Sequence, residues 1–461
     1  MAATAHDTPA LPALPGTAAG RASQPFRRFF AIEAASGIVL IACTAIALLM
    51  ANSPWRAAWA AFWDTPVVIG VGGLVIDYPL STWVNDALMA IFFFVVGLEI
   101  KRELAIGELS EPRKVALPVA AAFGGAAVPA LVFTLLRHGT PDARGWAVPM
   151  ATDIAFVVGC LALLGSRVPH GLKILMLSLA IVDDLLAVIV IALFYSSSIG
   201  TGWLAGALGG LLLVALMNRA GVRRVGWYLL AGAGVWLCTL KSGIHPTVAG
   251  AALGLLTPWR AWVDEHLSSR VMGSAGRALA ATAGQLSPAA RQAVLEHAET
   301  ALREARSPLD RLQHALHPWV AFGIMPVFAL ANAGVPLGGG DALAPLPLAV
   351  VAGLVLGKPV GFLLACWLVT RRTARLPEGV SWGAMVGAGC LAGIGFTMSI
   401  FVASLSFQGA ALDSAKLGVL LASGLSAVLG MLLLRATLPA RTAGMAGTAG
   451  AGAGSPAQAP A

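Results

Sequence analysis

The sequence predicts an all-α membrane protein that crosses the bilayer many times. Of its 461 residues, 58% are hydrophobic and only 11% are charged, whereas about 25% of the residues in an ordinary soluble domain are charged. A soluble chain of this size could not bury so much apolar surface with so few charges to cover its exterior. The composition therefore excludes a cytoplasmic enzyme, a secreted disulfide-rich protein and a disordered protein.

Twelve apolar segments are long enough, or nearly long enough, to cross about 30 Å of hydrocarbon. They lie near residues 31–51, 84–100, 115–136, 147–164, 173–196, 202–218, 225–240, 243–257, 318–335, 346–370, 382–406 and 416–434. We predict the following organisation: a disordered tail over 1–28, spans one to eight within 29–257, a cytoplasmic loop over 258–317, spans nine to twelve within 318–436, and a disordered Gly/Ala-rich tail over 437–461. Segment 66–83 alternates small and β-branched residues around a turn, which indicates a surface hairpin, and 293–306 has the spacing of an amphipathic helix.

The distribution of basic residues supports this number of spans. With the N-terminus in the cytoplasm, 24 of the 30 Lys and Arg residues fall on the cytoplasmic side and 5 on the other side, while Lys358 lies within a span. Membrane proteins concentrate Lys and Arg in their cytoplasmic loops. We therefore expect both termini in the cytoplasm. The same loops account for the net charge of +8, so the lipid bilayer is the expected partner and nucleic acid is not.

Several ionisable residues fall inside or near the ends of the predicted spans, where a charge is costly and needs a functional or structural reason. They are Asp153, Asp183, Asp184, Lys358, and, nearer the ends of spans, Asp86 and Glu99. Asp183 and Asp184 are adjacent, so on a helix their side chains diverge by about 100° and cannot serve one partner in the same way. One can face a cation path while the other pairs with a base.

Coupled carboxylates at low dielectric can exchange protons near neutral pH, and deprotonated carboxylates bind hard cations. A site that holds either protons or a cation has the outline of an antiporter site.

The fourth and eleventh spans carry signals of interrupted helices. In the fourth span Thr152 and Asp153 follow Pro149 at mid-span, and the eleventh span contains Gly393 and Gly395 in a glycine-rich run. Unwound backbone at membrane depth is tolerated only where it lines a cavity or is buried in protein. Two broken spans seven apart indicate that spans three to five repeat, inverted, as spans ten to twelve, with the broken helices crossing. Asp153 and Lys358 are the candidates to compensate the positive and negative half-helix ends.

Two other classes of protein also require charged residues within spans. An intramembrane aspartyl protease needs two aspartates that share a proton, but Lys358 would fix one of them as a counter-ion and no Gly-x-Gly-Asp run surrounds them. A cation channel needs no proton-coupled pair of acids. Proton movement driven by sodium would distinguish an antiporter from both alternatives.

The chain resembles the NhaA-type sodium/proton antiporters of bacterial inner membranes over about residues 25 to 436. Eight runs carry the resemblance, among them Ala-Thr-Asp-Ile-Ala-Phe, Ala-Ile-Val-Asp-Asp-Leu and Gly-Ile-Gly-Phe-Thr-Met-Ser-Ile-Phe, at 85–104, 151–156, 180–185, 241–250, 316–321, 328–335, 357–361 and 393–401. The resemblance implies a secondary active transporter and not an enzyme, without a cofactor. It would export sodium or lithium electrogenically against two inward protons, with pH regulation, and would serve sodium and pH homeostasis. It also implies a homodimer, for which the hairpin 66–83 is a candidate contact through strand pairing.

The resemblance also implies roles for individual residues. Asp184 is similar to the main sodium ligand, and Asp183 to the acid that pairs with Lys358 and gives up this partner when it takes a proton. Thr152 and Asp153 are similar to the contributors from the unwound fourth span to cation binding, and Gly393 and Gly395 to the broken-helix glycines. Residues in the predicted cytoplasmic funnel and pH response are Glu99, Arg102, His245 and Gln313.

Two departures from the family pattern concern the pH response. Gln313 stands where the family commonly has an acid, and the loop 258–310 is longer than the usual connection. Both put the pH profile in question without touching the transport chemistry. For His245 an alternative stays open, since a single histidine beside Pro246 in an apolar span is also typical of a hydrogen-bonded core residue.

Overall fold

Most of the described residues lie in helices, and their apolar faces make up one extensive core. The computed structural model describes residues 33–71, 74–107, 111–196, 199–281, 287–336, 342–372 and 375–438. The predicted tail 1–28 lies outside these residues, as does all of the predicted tail 437–461 apart from residues 437 and 438.

Sixteen helices and two strands are labelled here in chain order. They are α1 (Glu33–Ala51), α2 (Arg56–Trp63), β1 (Pro66–Val71), β2 (Leu74–Pro79), α3 (Leu80–Ala105), α4 (Pro112–Leu136), α5 (Ile154–Leu164), α6 (His170–Phe194), α7 (Thr201–Arg219), α8 (Val225–Ser242), α9 (Thr247–Leu256), α10 (Glu265–Ala281), α11 (Pro288–Glu304), α12 (Pro308–Asn332), α13 (Pro345–Thr370), α14 (Trp382–Ala392), α15 (Phe396–Ser406) and α16 (Gly409–Thr437). Two 3₁₀ turns, Pro141–Gly145 and Val148–Met150, precede α5. One π-helical turn interrupts each of α3, α12 and α13, at Val84–Leu88, Val320–Ile324 and Ala352–Gly357.

The described part of the chain contains seven helices that are long and apolar enough to cross a membrane: α3, α4, α6, α7, α12, α13 and α16. Three further spans result if each bent pair of helices counts as one, which gives up to ten. The protein is therefore an all-α multi-pass membrane protein. This number is lower than the twelve predicted spans, because α8 and α9 do not meet the length and hydropathy required of a membrane-spanning helix. The ten residues of α9 rise only about 15 Å along the helix axis.

A β-hairpin occupies most of the segment 66–83. β1 and β2 pair antiparallel with Val67 opposite Tyr78 and Ile69 opposite Ile76. Residues 80–83 do not belong to the hairpin, because Leu80–Trp83 is the first helical turn of α3. The indole of Trp83 donates a hydrogen bond to the Val67 carbonyl, 3.0 Å away, and so ties the hairpin to this helix.

Both spans that carry interruption signals are broken in the structure. The segment Pro141–Met150 meets α5 and its 3₁₀ extension at a bend of 40°, and α14 meets α15 at a bend of 42°. The breaks fall at residues 151–153 and 393–395, where the sequence analysis places them. A third bent pair, α1 and α2 at 118°, has no counterpart among the predicted interruptions.

Glycine residues bring two pairs of helices into backbone contact. We call these contacts the glycine seams. In the first seam, a Cβ at Gly97 of α3 would overlap the Ala251 carbonyl oxygen of α9, and a Cβ at Gly250 would overlap that of Ala90. In the second seam, Gly124 of α4 and Gly361 of α13 each face the carbonyl oxygen of the other. Neither seam has room for a larger residue.

The described residues of the predicted cytoplasmic loop 258–317 include α10 and α11, which pack against each other. Predicted helical residues 293–304 lie in α11, while 305 and 306 follow its end. The guanidinium of Arg223 pairs with the Glu304 carboxylate at 2.5 Å and lies over the Trp262 ring. These contacts join the loop to the connection between α7 and α8.

Candidate functional site

The two helix breaks contact each other directly. The Asp153 amide donates to the Ile394 carbonyl at 2.7 Å, and the Thr152 hydroxyl lies 3.0 Å from the Ala392 carbonyl oxygen. Gly395 permits this approach, because a Cβ there would lie 3.2 Å from the Ala151 carbonyl oxygen, whereas a Cβ at Gly393 would overlap the Leu354 carbonyl oxygen of α13. Each break therefore satisfies part of the open backbone of the other, as buried polar groups require.

The Asp153 carboxylate lies at the amino-terminal ends of both α5 and α15. It caps α5 by accepting from the Phe156 amide at 3.1 Å. It also accepts from the Thr397 amide of α15 at 3.1 Å and from the Thr397 hydroxyl. A helix N-terminus carries a partial positive charge, and only 1% of Asp153 is exposed. One buried carboxylate thus compensates two half-helix ends.

Lys358 lies on the opposite, negative side of this arrangement. Its ammonium group is fully buried, donates to Asp183 Oδ2 at 2.7 Å and also donates to the Met150 carbonyl, where the segment before the first break ends. The Thr152 hydroxyl lies 2.6 Å from the same Asp183 oxygen. The carboxyl end of α14 is reached by Thr152 and not by Lys358, so the lysine contacts one of the two negative half-helix ends.

Asp184 follows Asp183 on α6, but its carboxylate has a different hydrogen-bonding environment. Like Asp183 it is buried, with 3% exposed. Among the residues that the structure describes, none donates a hydrogen bond to the Asp184 carboxylate. The two adjacent aspartates therefore differ as their divergence on α6 predicts: one oxygen of Asp183 is engaged by a cation, and the carboxylate of Asp184 is open to a ligand.

Glu99, Arg102 and Gln313 lie together near the C-terminal end of α3. The Gln313 side chain interacts with the Glu99 carboxylate, and the charge of Arg102 acts on it as well. Arg102 lies 4.0 Å from Asp310, with both side chains about half exposed. The charge of Glu99 is close enough to act on Asp184, so this group of residues is electrostatically connected to the buried aspartates.

His245 does not lie with this group. Its Nε2 atom is 3.3 Å from Asp86, and its Nδ1 atom is 2.8 Å from the Thr247 hydroxyl. Asp86 is 13 residues before Glu99 on α3, about 20 Å along the helix. The structure therefore places His245 near the other end of α3 from Glu99, Arg102 and Gln313, and its part in the pH response stays a prediction. His245 is hydrogen-bonded and mostly buried, as in the alternative interpretation.

Sequence reasoning missed Thr397 and the Met150 carbonyl. Thr397 lies in the quoted run 393–401, two residues after Gly395, where the amides of a first helical turn need an acceptor. The Met150 carbonyl has no side-chain signal. Only the path of the backbone before the break shows that it accepts from Lys358.

This arrangement can bind a cation and protons at the same groups. Buried oxygen atoms of two carboxylates lie next to an internal ammonium group, which pairs with one of the carboxylates. A hard cation is bound by deprotonated carboxylates, so protonation of these groups competes with cation binding. Within the described residues, no group of three or more His, Cys, Asp or Glu side chains forms a multi-ligand metal site.

Known proteins match the chain over nearly its whole length. The family described as Na+/H+ antiporter 1 matches residues 27–434. The chain is 50% identical over 443 residues to "Na(+)/H(+) antiporter NhaA 2" of Sorangium cellulosum, covering 92% of this chain and 93% of that protein. It is 51% identical over 422 residues to the protein of the same name in Myxococcus xanthus, covering 90% and 89%. An Acidiphilium cryptum relative, also named "Na(+)/H(+) antiporter NhaA 2", is 47% identical over 426 residues, which are 91% of this chain and 94% of the relative. The chain belongs to the Na+/H+ antiporter 1 family.

Proposed function

We propose that this protein is an electrogenic antiporter that exports sodium, or lithium, in exchange for inward-moving protons. Family membership supports sodium and protons as the substrates. The observation that carries the proposal for the site is the unequal pair of buried aspartates. Asp183 is held by Lys358 and Thr152, whereas Asp184 has a carboxylate open to a ligand.

In the proposed cycle, sodium binds the deprotonated Asp184 carboxylate, with Asp183 and the first break contributing further oxygen atoms. Thr152 is the contributor from that break, while Asp153 acts at longer range by holding both half-helix ends in place. When Asp183 takes a proton, its attraction to Lys358 weakens and sodium binding is lost. Two carboxyl groups that are protonated in turn account for two protons per sodium ion, and hence for net charge movement.

We further propose a topology of twelve spans in the cell inner membrane, with both termini cytoplasmic and two inverted repeats. α8 and α9 supply the two spans beyond the ten that qualify on length and composition. The distribution of Lys and Arg supports this orientation. The mutual contact of the two broken helices supports the repeat, since crossed broken helices are typical of inverted-repeat transporters.

The hairpin is the proposed contact of a homodimer. β1 and β2 form a two-stranded sheet, and short sheets can be extended by strands of a partner. Val68, Ile69 and Val75 are each about half exposed on this hairpin. Pairing of two hairpins would bury these side chains and satisfy strand edges.

The proposed pH response resides in Glu99, Arg102 and Gln313 at the cytoplasmic end of α3. His245 would contribute separately, through Asp86, at the extracytoplasmic end. The charge of Glu99 acts on Asp184, so a change of charge in the cytoplasmic group would alter cation binding at the site.

The test is sodium-driven proton movement in proteoliposomes that contain a pH-sensitive dye. A sodium pulse should change the internal pH, and the rate should rise when potassium and valinomycin remove the membrane potential. Asp184→Asn should abolish the response with insertion and folding intact, because it removes the charge that compensates a dehydrated sodium ion. Asp264→Asn is the matched control, since Asp264 is exposed on the cytoplasmic loop.

Three outcomes would contradict the proposal. Exchange by Asp184→Asn above a few per cent of the wild-type rate would remove this residue as the main ligand. Sodium flux without proton movement would indicate a channel. Cleavage of membrane peptides without sodium-driven proton movement would indicate a protease.

A further inference from the structure

A small cavity borders Asp183 on the side away from the Glu99 group. It lies between α4, α6, α15 and the turn Val148–Met150, with a volume of about 10 Å³, enough for one water molecule. Asp183 contributes the only polar side chain among its lining residues, and the others include Ala147, Ala187, Ile191 and Val402. Ala151, which lies in the non-helical first break, also borders it.

The two carboxylate oxygens of Asp183 have different environments. Oδ2 accepts from Lys358 and Thr152. Oδ1 is completely buried, and no group of the described residues donates a hydrogen bond to it. Buried carboxylate oxygens are normally hydrogen-bonded to protein or to an ordered water molecule, and the cavity lies against this aspartate.

One tyrosine lies one helical turn beyond the residues that line this cavity. Tyr195 follows Ile191 by one turn at the end of α6, and Ser406 follows Val402 by one turn at the end of α15. The Tyr195 hydroxyl donates to the Arg144 carbonyl at 2.8 Å and lies against the Ser406 hydroxyl and the Ala147 backbone. The Tyr195 hydroxyl therefore bonds the end of α6 to the segment before the first break, beside the end of α15.

We infer that the cavity holds one water molecule hydrogen-bonded to Asp183 Oδ1, and that Tyr195 is the positioning residue that closes the extracytoplasmic path to Asp183. Release of the Tyr195 hydroxyl separates α6 from α15 and from the segment before the first break, and the cavity then widens outward. This inference rests on the proposed orientation of the chain and on the proposed role of Asp183.

X-ray radiolytic footprinting in oxygen-18 water tests the bound water. Ile191 and Ile400 are both 1% exposed, but only Ile191 lines the cavity. Ile191 should be oxidised several-fold faster than Ile400. Ala187→Val fills the cavity and should bring the two rates together. Equal oxidation of both isoleucines in the wild-type protein would overturn the water site.

Thiol labelling from one side of the membrane tests the role of Tyr195. In a background without the five native cysteines, Ile191→Cys reports extracytoplasmic access, and Ala180→Cys, one turn from Asp184 in the other direction, reports cytoplasmic access. Tyr195→Phe should raise external labelling at 191 about fivefold, the population shift expected for loss of one hydrogen bond, and should lower cytoplasmic labelling at 180. Ser406→Ala should act in the same direction and carries the test if Tyr195→Phe does not fold.

Tyr228→Phe is the matched control, since Tyr228 also donates its hydroxyl to a backbone carbonyl but away from this cavity. Equal labelling at 191 in the two tyrosine variants would overturn the inference. A rise at both reporters would also overturn it, because it would indicate general loosening. Sodium-driven proton movement by the wild-type protein in the same vesicles tests the proposed function separately.

Discussion

Lys358→Ala should destabilise the protein in a manner that depends on pH. The lysine is fully buried, and its ammonium group holds Asp183 at 2.7 Å. Loss of one partner of a buried ion pair costs about 3–5 kcal/mol, since it leaves an uncompensated charge. The remaining Thr152 hydrogen bond, at 2.6 Å, offsets about 1 kcal/mol of this. A net loss of about 2–4 kcal/mol is expected when Asp183 is ionised.

The sign of the pH dependence follows from proton binding. In the variant, the stranded carboxylate lowers its energy by taking a proton in the folded protein, whereas the same residue in the unfolded chain stays ionised. The folded state then binds more protons than the unfolded state, so stability falls as pH rises. The loss should be smallest near about pH 4, where the unfolded residue also takes a proton, and should have its full value at about pH 8.5.

Tryptophan fluorescence during heating measures this effect, because the chain has 13 tryptophans. Lys358→Ala should lower the melting temperature by several degrees at pH 8.5 and should lose transport. Lys358→Arg should keep substantial function, and Asp183→Asn combined with Lys358→Ala should recover much of the lost stability. Lys173→Ala, at an exposed lysine, is the control. Unchanged melting of Lys358→Ala at pH 8.5 would refute the pairing.

Three further predictions concern other parts of the site. Gln313→Glu should steepen activation between about pH 6.5 and 8.5 with little change in maximal rate, because it places a second titrating acid beside Glu99; superimposable profiles of sodium-induced pH change in everted vesicles would remove position 313 from the pH response. Asp153→Asn should reduce transport and lower the melting temperature by a few degrees, since a neutral amide compensates two helix N-termini less well; an unchanged melting temperature would show that these ends need no buried charge. Deletion of the hairpin residues 66–79 should give a monomer that still transports, as judged by cross-linking and proteoliposome assays, and a dimer that survives the deletion would exclude the hairpin as its contact.

The position of the helix breaks could be predicted from sequence because the signals are local. Pro149 removes a backbone donor, and Gly393 and Gly395 permit close approach of the backbone. The contacts across the breaks could not be predicted residue by residue. The contact of Thr397 with Asp153 depends on how two segments distant in sequence pack together. The same is true of the contacts of Thr152 with α14 and with Asp183.

The separation of His245 from Glu99 could not be predicted from the roles that the resemblance implies. The resemblance groups residues by role, whereas their depth in the membrane depends on the alternation of spans. Asp86 and Glu99 lie on one helix but at opposite ends, and His245 contacts the former. The predicted spans already place position 245 next to the loop that contains Lys241, on the side opposite Arg102. The unequal environment of the two Asp183 oxygens, by contrast, has no sequence signal.

The two glycine seams have a mechanical consequence. Helices joined backbone to backbone have no interlocking side chains that could change rotamer, so each joined pair is expected to move as one rigid body. Lys358 is the first residue of the part of α13 that follows the π-helical turn, and this part contacts α4 through Gly361. Asp183 lies on α6, outside both seams. The ion pair therefore links the joined pair α4 and α13 to α6. In the proposed cycle, a proton on Asp183 weakens this link as well as changing the charge of the site, so we expect proton binding to shift α6 relative to the joined pair.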